Sequence, residues 1–384
     1  MSTLKVINSI HPSGSTNNLV FDIAGNTTAG GTLAMSSSFL RNRIINGAMV
    51  IDQRNAGASV TPANGAYTLD RWQVTLSQAS KFSIQQNAGS VTTQAGFPNY
   101  AGITSLSAYS IVSGDYFTFR QSIEGFNFAD FAWGTSSAAT ITLSFWTRSS
   151  LTGTFGGAFS NYAGTRSYPF SYTISSANTW EQKTVTIAGD TSGTWVGASS
   201  NGSAILHFSL GTGSTYSGTA GAWASAQYFA PTGATSVVGT NGATFYITGV
   251  QLEVGSVATP FEREIYSVTL QKCQRYLPAW NSAGNNCAIC AGSPYSTAAA
   301  SLVFPFKVSA RVPPTGITST AAGGFSLTNS SGGYSAATGI TWGGSASTES
   351  AVFNLTGASS LVAGGGTWAV GSSTSQILFT GCEL

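Results

Sequence analysis

Apolar and polar residues alternate in many short runs along the chain, with Gly- and Ser-rich turns between the runs. In one run Ile141, Leu143 and Phe145 alternate with Thr142 and Ser144. A period of two residues is typical of a β-strand that buries one face. The pattern therefore predicts an all-β protein of many short strands. The alternation recurs in residues 117–123, 185–187, 206–210 and 302–308, and short apolar runs follow around Phe325, Phe353, Trp368 and Phe379.

One strand changes its pattern partway along. Phe245 and Ile247 share one face, whereas Val250 and Leu252 are out of step with them by one residue. A regular strand cannot place both pairs on the same side without an extra residue. The sequence therefore predicts a β-bulge at residues 248–249.

A single helix is predicted over residues 267–277. Leu270, Cys273 and Leu277 fall on one helical face, Ser267 is a suitable N-cap, and Pro278 ends the helix. The helix separates a long strand-rich part from a shorter one, and the length and strand count of the long part suit a jelly-roll sandwich. The predicted parts are an extended N-terminal arm (1–40), a jelly-roll β-sandwich (41–262), a linking helix (263–278) and a smaller C-terminal β-sandwich (279–384).

Charged residues make up 7% of the 384-residue chain, far below the usual share of about 25%. The net charge is +2 without a Lys/Arg cluster, so nucleic-acid binding lacks its electrostatic basis. Aromatic residues at 12% supply the burial that a disordered chain lacks. A surface of Ser, Thr, Asn, Gln and Gly suits neutral hydroxylated ligands.

Targeting segments are not predicted. The N-terminus lacks a basic stretch followed by an apolar one, and no run approaches the roughly 20 apolar residues of a membrane helix. We therefore expect synthesis in a cytoplasm and no membrane insertion.

Several segments follow one another in a recognisable order: RNRIINGAMVIDQRNAG (41–57), YTLDRW (67–72), FRQSIEG (119–125), ITLSFWTRSS (141–150), NTWEQKTVTIAGD (178–190), TGVQLEVGSVATPFER (248–263) with CQRY (273–276), and VFPFKVSARVPPT (303–315). In this order they resemble bacteriophage tail-fibre and receptor-binding proteins that contain a jelly-roll, carbohydrate-binding-module-like domain.

The resemblance implies a virion protein of the phage tail, assembled in the host cytoplasm, that recognises a host-surface glycan without catalysis. Fibre analogy implies a homo-oligomer, expected to be a trimer. The weak strands of residues 1–40 cannot bury an apolar face alone, so we expect this arm to pair with other subunits or to bind other tail proteins; a disordered tail is the alternative. A purely structural virion component (baseplate, connector or head decoration) remains open, and a glycan-depolymerase tailspike is the less favoured third interpretation.

Catalytic residues are not predicted. Glycan cleavage needs two opposed carboxylates. Glu124 and Asp130 are the best candidates, followed by Asp115, but structural hydrogen bonding is favoured for Glu124 and Asp130. His11 and His207 lack triad partners in the sequence, and His207 is expected on the polar face of its strand, facing solvent or hydrogen-bonded.

Metal sites and cofactors are not predicted either. Cys287 and Cys290 are three apart in a strand-like segment and are expected on opposite faces. A four-thiolate site with Cys273 and Cys382 is the alternative to free thiols, and a disulfide is disfavoured in a reducing cytoplasm. Calcium binding has no dense acidic loop to support it. The acids considered for calcium are Asp52, Asp70 and Glu253.

Glycan binding would use flat aromatic faces with hydroxyl and amide partners. Trp72 and Trp146 lie inside predicted strands and are expected to pack in the core or between the sheets. The candidate ligand-binding residues are those that we expect in loops: Tyr162, Arg166, Tyr168, Tyr216 and Trp223 in the large sandwich, and Trp280, Tyr295, Tyr334 and Trp342 in the C-terminal one. For each of them, packing under its own loop is the alternative.

Overall fold

The computed structural model describes residues 41–384 and, before them, the backbone of three short strands. These are β1 (Asn8–Ile10), β2 (Asn17–Phe21) and β3 (Thr27–Ala29), which form an antiparallel sheet in the order β1-β2-β3. The rest of the predicted arm lies outside the described residues, and its role in attachment stays a prediction. Met1–Arg41 and Asn42–Leu384 are two separate units.

The large sandwich consists of two antiparallel sheets. One has six strands in the order β11-β10-β13-β8-β5-β4, the other five in the order β12-β9-β16-β7-β6, and β14 and β15 form a short parallel pair. The strands are β4 (Tyr67–Leu69), β5 (Trp72–Leu76), β6 (Phe82–Gln86), β7 (Ala101–Ser105), β8 (Tyr116–Glu124), β9 (Ile141–Ser149), β10 (Gly153–Asn161), β11 (Ser167–Ile174), β12 (Glu181–Ile187), β13 (Gly202–Thr212), β14 (Ser217–Gly218), β15 (Ala230–Pro231) and β16 (Thr244–Val254).

Aromatic residues fill the space between these two sheets. Trp72 stacks on Phe119 with ring centroids 4.6 Å apart. Phe145 of the five-stranded sheet meets Phe208 of the six-stranded sheet at 5.0 Å. The core prediction for Trp72 is therefore confirmed. Trp146 is only half-buried and, next to the inward Phe145, points to the outer face, so the core prediction for Trp146 is wrong.

The predicted bulge is present in β16. Its pairing with β9 shifts register between Thr248 and Gln251, and Gly249 adopts a φ of 61°. Ile247 before the bulge and Val250 after it are both fully buried. The extra residue thus keeps both halves of the strand facing the core.

Helix α1 (Tyr266–Gln274) follows the large sandwich. It ends three residues before the predicted end, and Ile265 is at the N-cap position without a side-chain hydrogen bond, so the N-cap prediction for Ser267 is wrong. Cys273 is buried on the inner side of the helix, and Leu277 is buried just beyond its end.

The C-terminal sandwich is smaller. Its sheets have three strands in the order β17-β26-β20 and seven in the order β22-β21-β25-β18-β19-β24-β23. Phe304 stacks on Phe379 at 5.0 Å in its core. The strands are β17 (Ala279–Asn281), β18 (Cys287–Ser296), β19 (Ala299–Pro305), β20 (Gly316–Ser319), β21 (Phe325–Thr328), β22 (Tyr334–Ala336), β23 (Gly339–Ala346), β24 (Ser350–Thr356), β25 (Thr367–Gly371) and β26 (Gln376–Thr380).

Buried charges join the two sandwiches. The Glu383 carboxylate lies between Arg54, at 2.5 Å, and Arg71, at 3.0 Å. The Arg71 guanidinium also lies 3.5 Å from the ring centre of Tyr276, directly after α1. These contacts hold the C-terminal sandwich against β4, β5 and the segment after α1. The predicted all-β fold, with a jelly-roll sandwich, a linking helix and a smaller sandwich, is confirmed.

Candidate functional site

The outer face of the six-stranded sheet carries the candidate site. Phe117 and Phe119 of β8 point into the core, so Tyr116, Thr118 and Arg120 point outward. Strand register places β5 and β13 on either side of these residues. The site is therefore built on paired strands, which hold its side chains at fixed spacing.

A loop of residues 213–231 packs on this face. Its Tyr216 and Phe229 contact Tyr116 at centroid distances of 5.2 and 5.4 Å, and they stack on each other at 5.3 Å with 25° between the rings. Loop and sheet form a pocket of about 180 Å³. Its lining residues are Asn64, Thr75, Tyr116, Arg120, Tyr216, Gln227 and Phe229.

Arg120 is the charged residue of the pocket. Its Nε and Nη2 donate to Oε1 of Gln73 at 2.8 and 2.5 Å, and Gln73 Nε2 donates to the Gly65 carbonyl at 2.9 Å. Burial lowers the pKa of Arg120, and the nearby tyrosines, Tyr67 first, oppose that shift. An arginine stays protonated despite such a shift, so the pocket carries a positive charge.

Tyr162 lies on the same side of the sheet. Its ring packs against Gly202, where an added Cβ would lie 2.2 Å from the ring. Tyr162 itself is 42% exposed. Tyr162 is near enough to Arg120 to act electrostatically on its guanidinium. The structure therefore brings two predicted residues, Tyr162 and Tyr216, to one face around Arg120.

His207 lies beneath the loop as the cross-strand partner of Arg120. It is buried, its ring is 5.0 Å from Phe229, and its Nε2 is 3.3 Å from the Ser160 hydroxyl. Burial, and then the charge of Arg120, hold the pKa of His207 well below its usual value. His207 therefore lies on the outer, polar face of its strand and is hydrogen-bonded, one of the two outcomes expected for it, and it does not face solvent because the 213–231 loop covers this part of the face.

Arg166, Tyr168 and Trp223 lie together at the β11 edge of the sheet. Trp223 packs on Tyr168 at 5.3 Å and donates its indole N–H to the Ala188 carbonyl at 2.8 Å. Arg166 forms an ion pair with Asp190 at 2.6 Å. Since these polar groups are already bound, the geometry favours packing for this cluster, and ligand binding by its residues stays a prediction.

The remaining predicted aromatics belong to the C-terminal sandwich. Trp280 is only 8% exposed and packs in the core, which favours a structural role. Tyr295 and Tyr334 are exposed and Trp342 is half-buried. The structure does not bring these four residues to the pocket. The loop placement predicted for them and for Tyr168 is wrong, because all five lie in strands.

Several pocket residues were not predicted. Tyr116 and Arg120 lie on the polar face of a strand that the alternation identified, but alternation does not reveal which polar face another segment covers. Gln227 lies in a Gly/Ser-rich loop without a distinguishing pattern. Only Tyr116 and Arg120 could have been noticed in the sequence, because an aromatic and a basic side chain stand out on a strand face of small polar residues.

The three predicted acidic residues are bound by partners in the structure. Glu124 binds Arg275 at 2.5 Å, and Asp130 binds Arg43 at 2.7 Å. Asp115 accepts hydrogen bonds that include one from the Val112 backbone amide at 2.9 Å. The structural hydrogen bonding expected for Glu124 and Asp130 is therefore confirmed, and Asp115 is held in the same way.

The cysteines have a different geometry from the one expected. A register shift between Ala288 and Cys290 pairs Cys287 with Gly371 and Cys290 with Ala369, which share one face of β25. Cys287 and Cys290 therefore point to the same side of β18, and the opposite-face prediction is wrong because of this bulge. All four cysteines are free thiols.

The calcium candidates are occupied by protein contacts. Both carboxylate oxygens of Asp70 accept hydrogen bonds from Gln53, and Glu253 accepts from Gln251 and Thr259. Asp52 accepts from nearby backbone amides. Over the described residues, His, Cys, Asp and Glu do not gather in a group of three suited to a metal ion. The described helices include none long and apolar enough to cross a bilayer.

Comparisons with known proteins relate this chain to solved structures only. No protein-family description matches the sequence, and no curated protein matches it. Similar structures include the enzymatically active domain of tailspike protein 4 of bacteriophage CBA120, with 13% identity, a TM-score of 0.32, and coverage of 56% of this chain and 22% of that one.

Two carbohydrate-binding modules are also similar. The family 11 module of the Clostridium thermocellum cellulase Lic26A-Cel5E shares 14% identity at a TM-score of 0.27, with 54% of this chain and 100% of that one covered. The xylan-binding CBM22-1 domain of Paenibacillus barcinonensis Xyn10C shares 10% identity at a TM-score of 0.25, with 53% and 99% covered. The chain spans about a fifth of the tailspike domain and nearly all of the two modules.

Proposed function

We propose that the pocket on the six-stranded sheet binds a glycan of a host-cell surface. The observation that carries this proposal is an aromatic wall next to polar groups that have no hydrogen-bond partner within the described residues. Within residues 41–384, the hydroxyls of Tyr116 and Tyr216 make no hydrogen bond, and the Asn64 amide group uses only its oxygen, on the Leu76 backbone. Sugar binding needs apolar ring faces and hydrogen-bonding groups side by side, which this pocket provides.

The proposed setting is a phage tail. The sequence segments between residues 41 and 315 that resemble phage tail-fibre proteins, in the same order, support a tail fibre assembled in the host cytoplasm. We propose that it is a homotrimer and that residues 1–40 bind other tail proteins. Host attachment through the glycan pocket would then be the biological role.

We further propose that this recognition proceeds without catalysis. The ion pairs of Glu124 and Asp130 support this part of the proposal, because a glycosidase needs carboxylates free to protonate or attack a glycosidic bond. A depolymerase tailspike would release reducing ends from host polysaccharide. Incubation of the full chain with host polysaccharide, followed by a reducing-end assay, tests this point, and a time-dependent increase would contradict it.

Adsorption to host cells tests the binding proposal. Tyr216→Ala removes one aromatic wall, while Tyr266→Ala removes an exposed tyrosine of α1 outside the pocket and is the control. We expect Tyr216→Ala to weaken adsorption at least tenfold, or about 1.4 kcal/mol, and Tyr266→Ala to leave it unchanged. Wild-type protein that never adsorbs, although virions incorporate it, would favour the purely structural virion component.

A further inference from the structure

Arg120 differs from five other arginines that are buried or partly buried in the described part of the chain. Each of those five has a carboxylate partner within 3.0 Å. The pairs are Arg43–Asp130, Arg54–Glu383, Arg71–Glu383, Arg166–Asp190 and Arg275–Glu124. Within residues 41–384, Arg120 has no carboxylate partner and binds only the amide oxygen of Gln73. Burying part of a charge without an opposite charge nearby costs free energy, so Arg120 lacks the anionic partner that would offset this cost.

The geometry of Arg120 leaves part of its guanidinium available. Nε and one hydrogen of Nη2 bind the Gln73 oxygen, which leaves the edge formed by Nη1 and Nη2. A planar guanidinium edge binds a carboxylate through two parallel hydrogen bonds. Because Gln73 is itself held by the Gly65 carbonyl, this edge is preoriented.

The rest of the pocket is neutral. Its other lining residues are aromatic, amide and hydroxyl side chains, without an acidic residue among them. His207, which lies below the loop as the cross-strand partner of Arg120, is buried and is therefore uncharged at neutral pH. A ligand with one carboxylate on a hydroxylated ring would match the positive charge of Arg120 and the aromatic walls of the pocket.

We propose that the ligand of this pocket is an acidic saccharide, of the uronic or sialic acid class, and that its carboxylate binds Arg120 while its ring packs against Tyr116 and Tyr216. This inference rests on the proposed glycan binding and departs from the neutral ligand that composition alone suggests. Arg120 is then the residue that selects acidic over neutral sugars.

An array of galacturonic, glucuronic and sialic acid oligosaccharides, each beside its carboxyl-reduced form, tests the inference with the full-length protein. We expect at least one acidic oligosaccharide to bind and its reduced form to bind at least tenfold more weakly. Arg120→Gln should bring the acidic form down to the level of the reduced one, and Arg120→Lys should restore part of the difference. The reduction acts on the ligand, so this comparison does not depend on how well a variant folds.

The outcomes separate the two proposals. If reduced and acidic forms bind equally, or only neutral sugars bind, and Tyr216→Ala still abolishes binding, the acidic-ligand inference is wrong and glycan binding stands. If no saccharide binds and Tyr216→Ala leaves adsorption to host cells unchanged, the proposed function itself fails.

Discussion

Arg275 and Glu124 form a two-point ion pair between the segment after α1 and the end of β8. Nε and Nη2 of Arg275 lie 3.0 and 2.5 Å from the two carboxylate oxygens of Glu124. The Glu124 side chain is 1% exposed and also accepts a hydrogen bond from the Tyr276 hydroxyl. The pair anchors the link between the sandwiches to the same sheet that carries the glycan pocket.

Arg275→Met should destabilise the protein because it leaves the buried Glu124 carboxylate with only a neutral donor. We expect a loss of about 2–3 kcal/mol in the free energy of unfolding, near the lower end for a broken buried pair because Arg275 is 33% exposed. Urea denaturation measures this loss. Lys272→Met is the control, since Lys272 and its partner Glu264 are both partly exposed, and less than about 1 kcal/mol is expected. Equal losses for the two variants would contradict the anchoring role.

Gly249→Ala should destabilise the protein more than a comparable glycine substitution. Gly249 has a φ of 61°, and a Cβ there would lie 2.7 Å from the Phe97 ring. Gly242→Ala is the control, because Gly242 has a φ of 74° and no atom within 4 Å of an added Cβ. Backbone strain alone should cost about 1 kcal/mol at Gly242, and overpacking should add about 1–3 kcal/mol at Gly249. Thermal or urea unfolding gives both values, and similar losses would show that Phe97 yields without cost.

Strand alternation predicted the core of this protein, and one break in alternation predicted its bulge. Phe245 and Val250 reveal the β16 bulge because both are apolar and out of step. The β18 bulge at Cys287 and Cys290 left no such trace, since Ala, Ile and Cys tolerate either face. Alternation placed Tyr116 and Arg120 on the polar face of their strand. It did not predict the pocket, because the 213–231 loop that covers this face is distant in sequence and meets it only in the tertiary fold. Sequence periodicity describes one strand at a time, and a pocket between a sheet and a distant loop depends on contacts that periodicity does not encode.

His207 should make the protein less stable as the pH falls below about 6.5. Burial and Arg120 lower the pKa of the folded-state imidazole, whereas the unfolded chain binds a proton near the ordinary value of 6.5. The unfolded state therefore gains protons first, and stability present above that pH is lost as the pH falls. Between pH 6.5 and 5.5 we expect this group to contribute a loss of about 1 kcal/mol.

Urea unfolding of His207→Gln across the same pH range isolates this effect. Burial raises the pKa values of Asp52, Asp70 and Glu383, so these acids make the protein more stable as the pH falls. Their contribution is the same in wild type and variant and therefore cancels when the two stabilities are subtracted. Tyr266→Ala, at an exposed residue of α1 that does not titrate between pH 5.5 and 6.5, is the control and should keep the wild-type slope. A His207→Gln slope equal to that of wild type would mean that His207 is not held neutral.

Cys287 should be the first cysteine to react with a thiol reagent in the native protein. The Ser282 hydroxyl, followed by the backbone amides of Ala283 and Gly284, lowers the pKa of Cys287 and so favours its reactive thiolate. Burial instead raises the pKa of Cys290 to about 12. Iodoacetamide labelling near pH 8, followed by peptide mass spectrometry, should therefore modify Cys287 at least tenfold faster than Cys290, even though both thiols point to the same side of β18.

Ser282→Ala should slow the labelling of Cys287 by removing the largest of these stabilising contacts. Ser301→Ala is a suitable control, because the Ser301 hydroxyl donates to Asn354 at 2.7 Å in the same sandwich and does not contact Cys287. The buried Cys273 and Cys382 should react only when the chain unfolds, since burial raises the pKa of both thiols and shields them from the reagent. Labelling of Cys290 at the rate of Cys287, or a Cys287 rate unaffected by Ser282→Ala, would show that the turn at residues 282–284 does not activate this thiol.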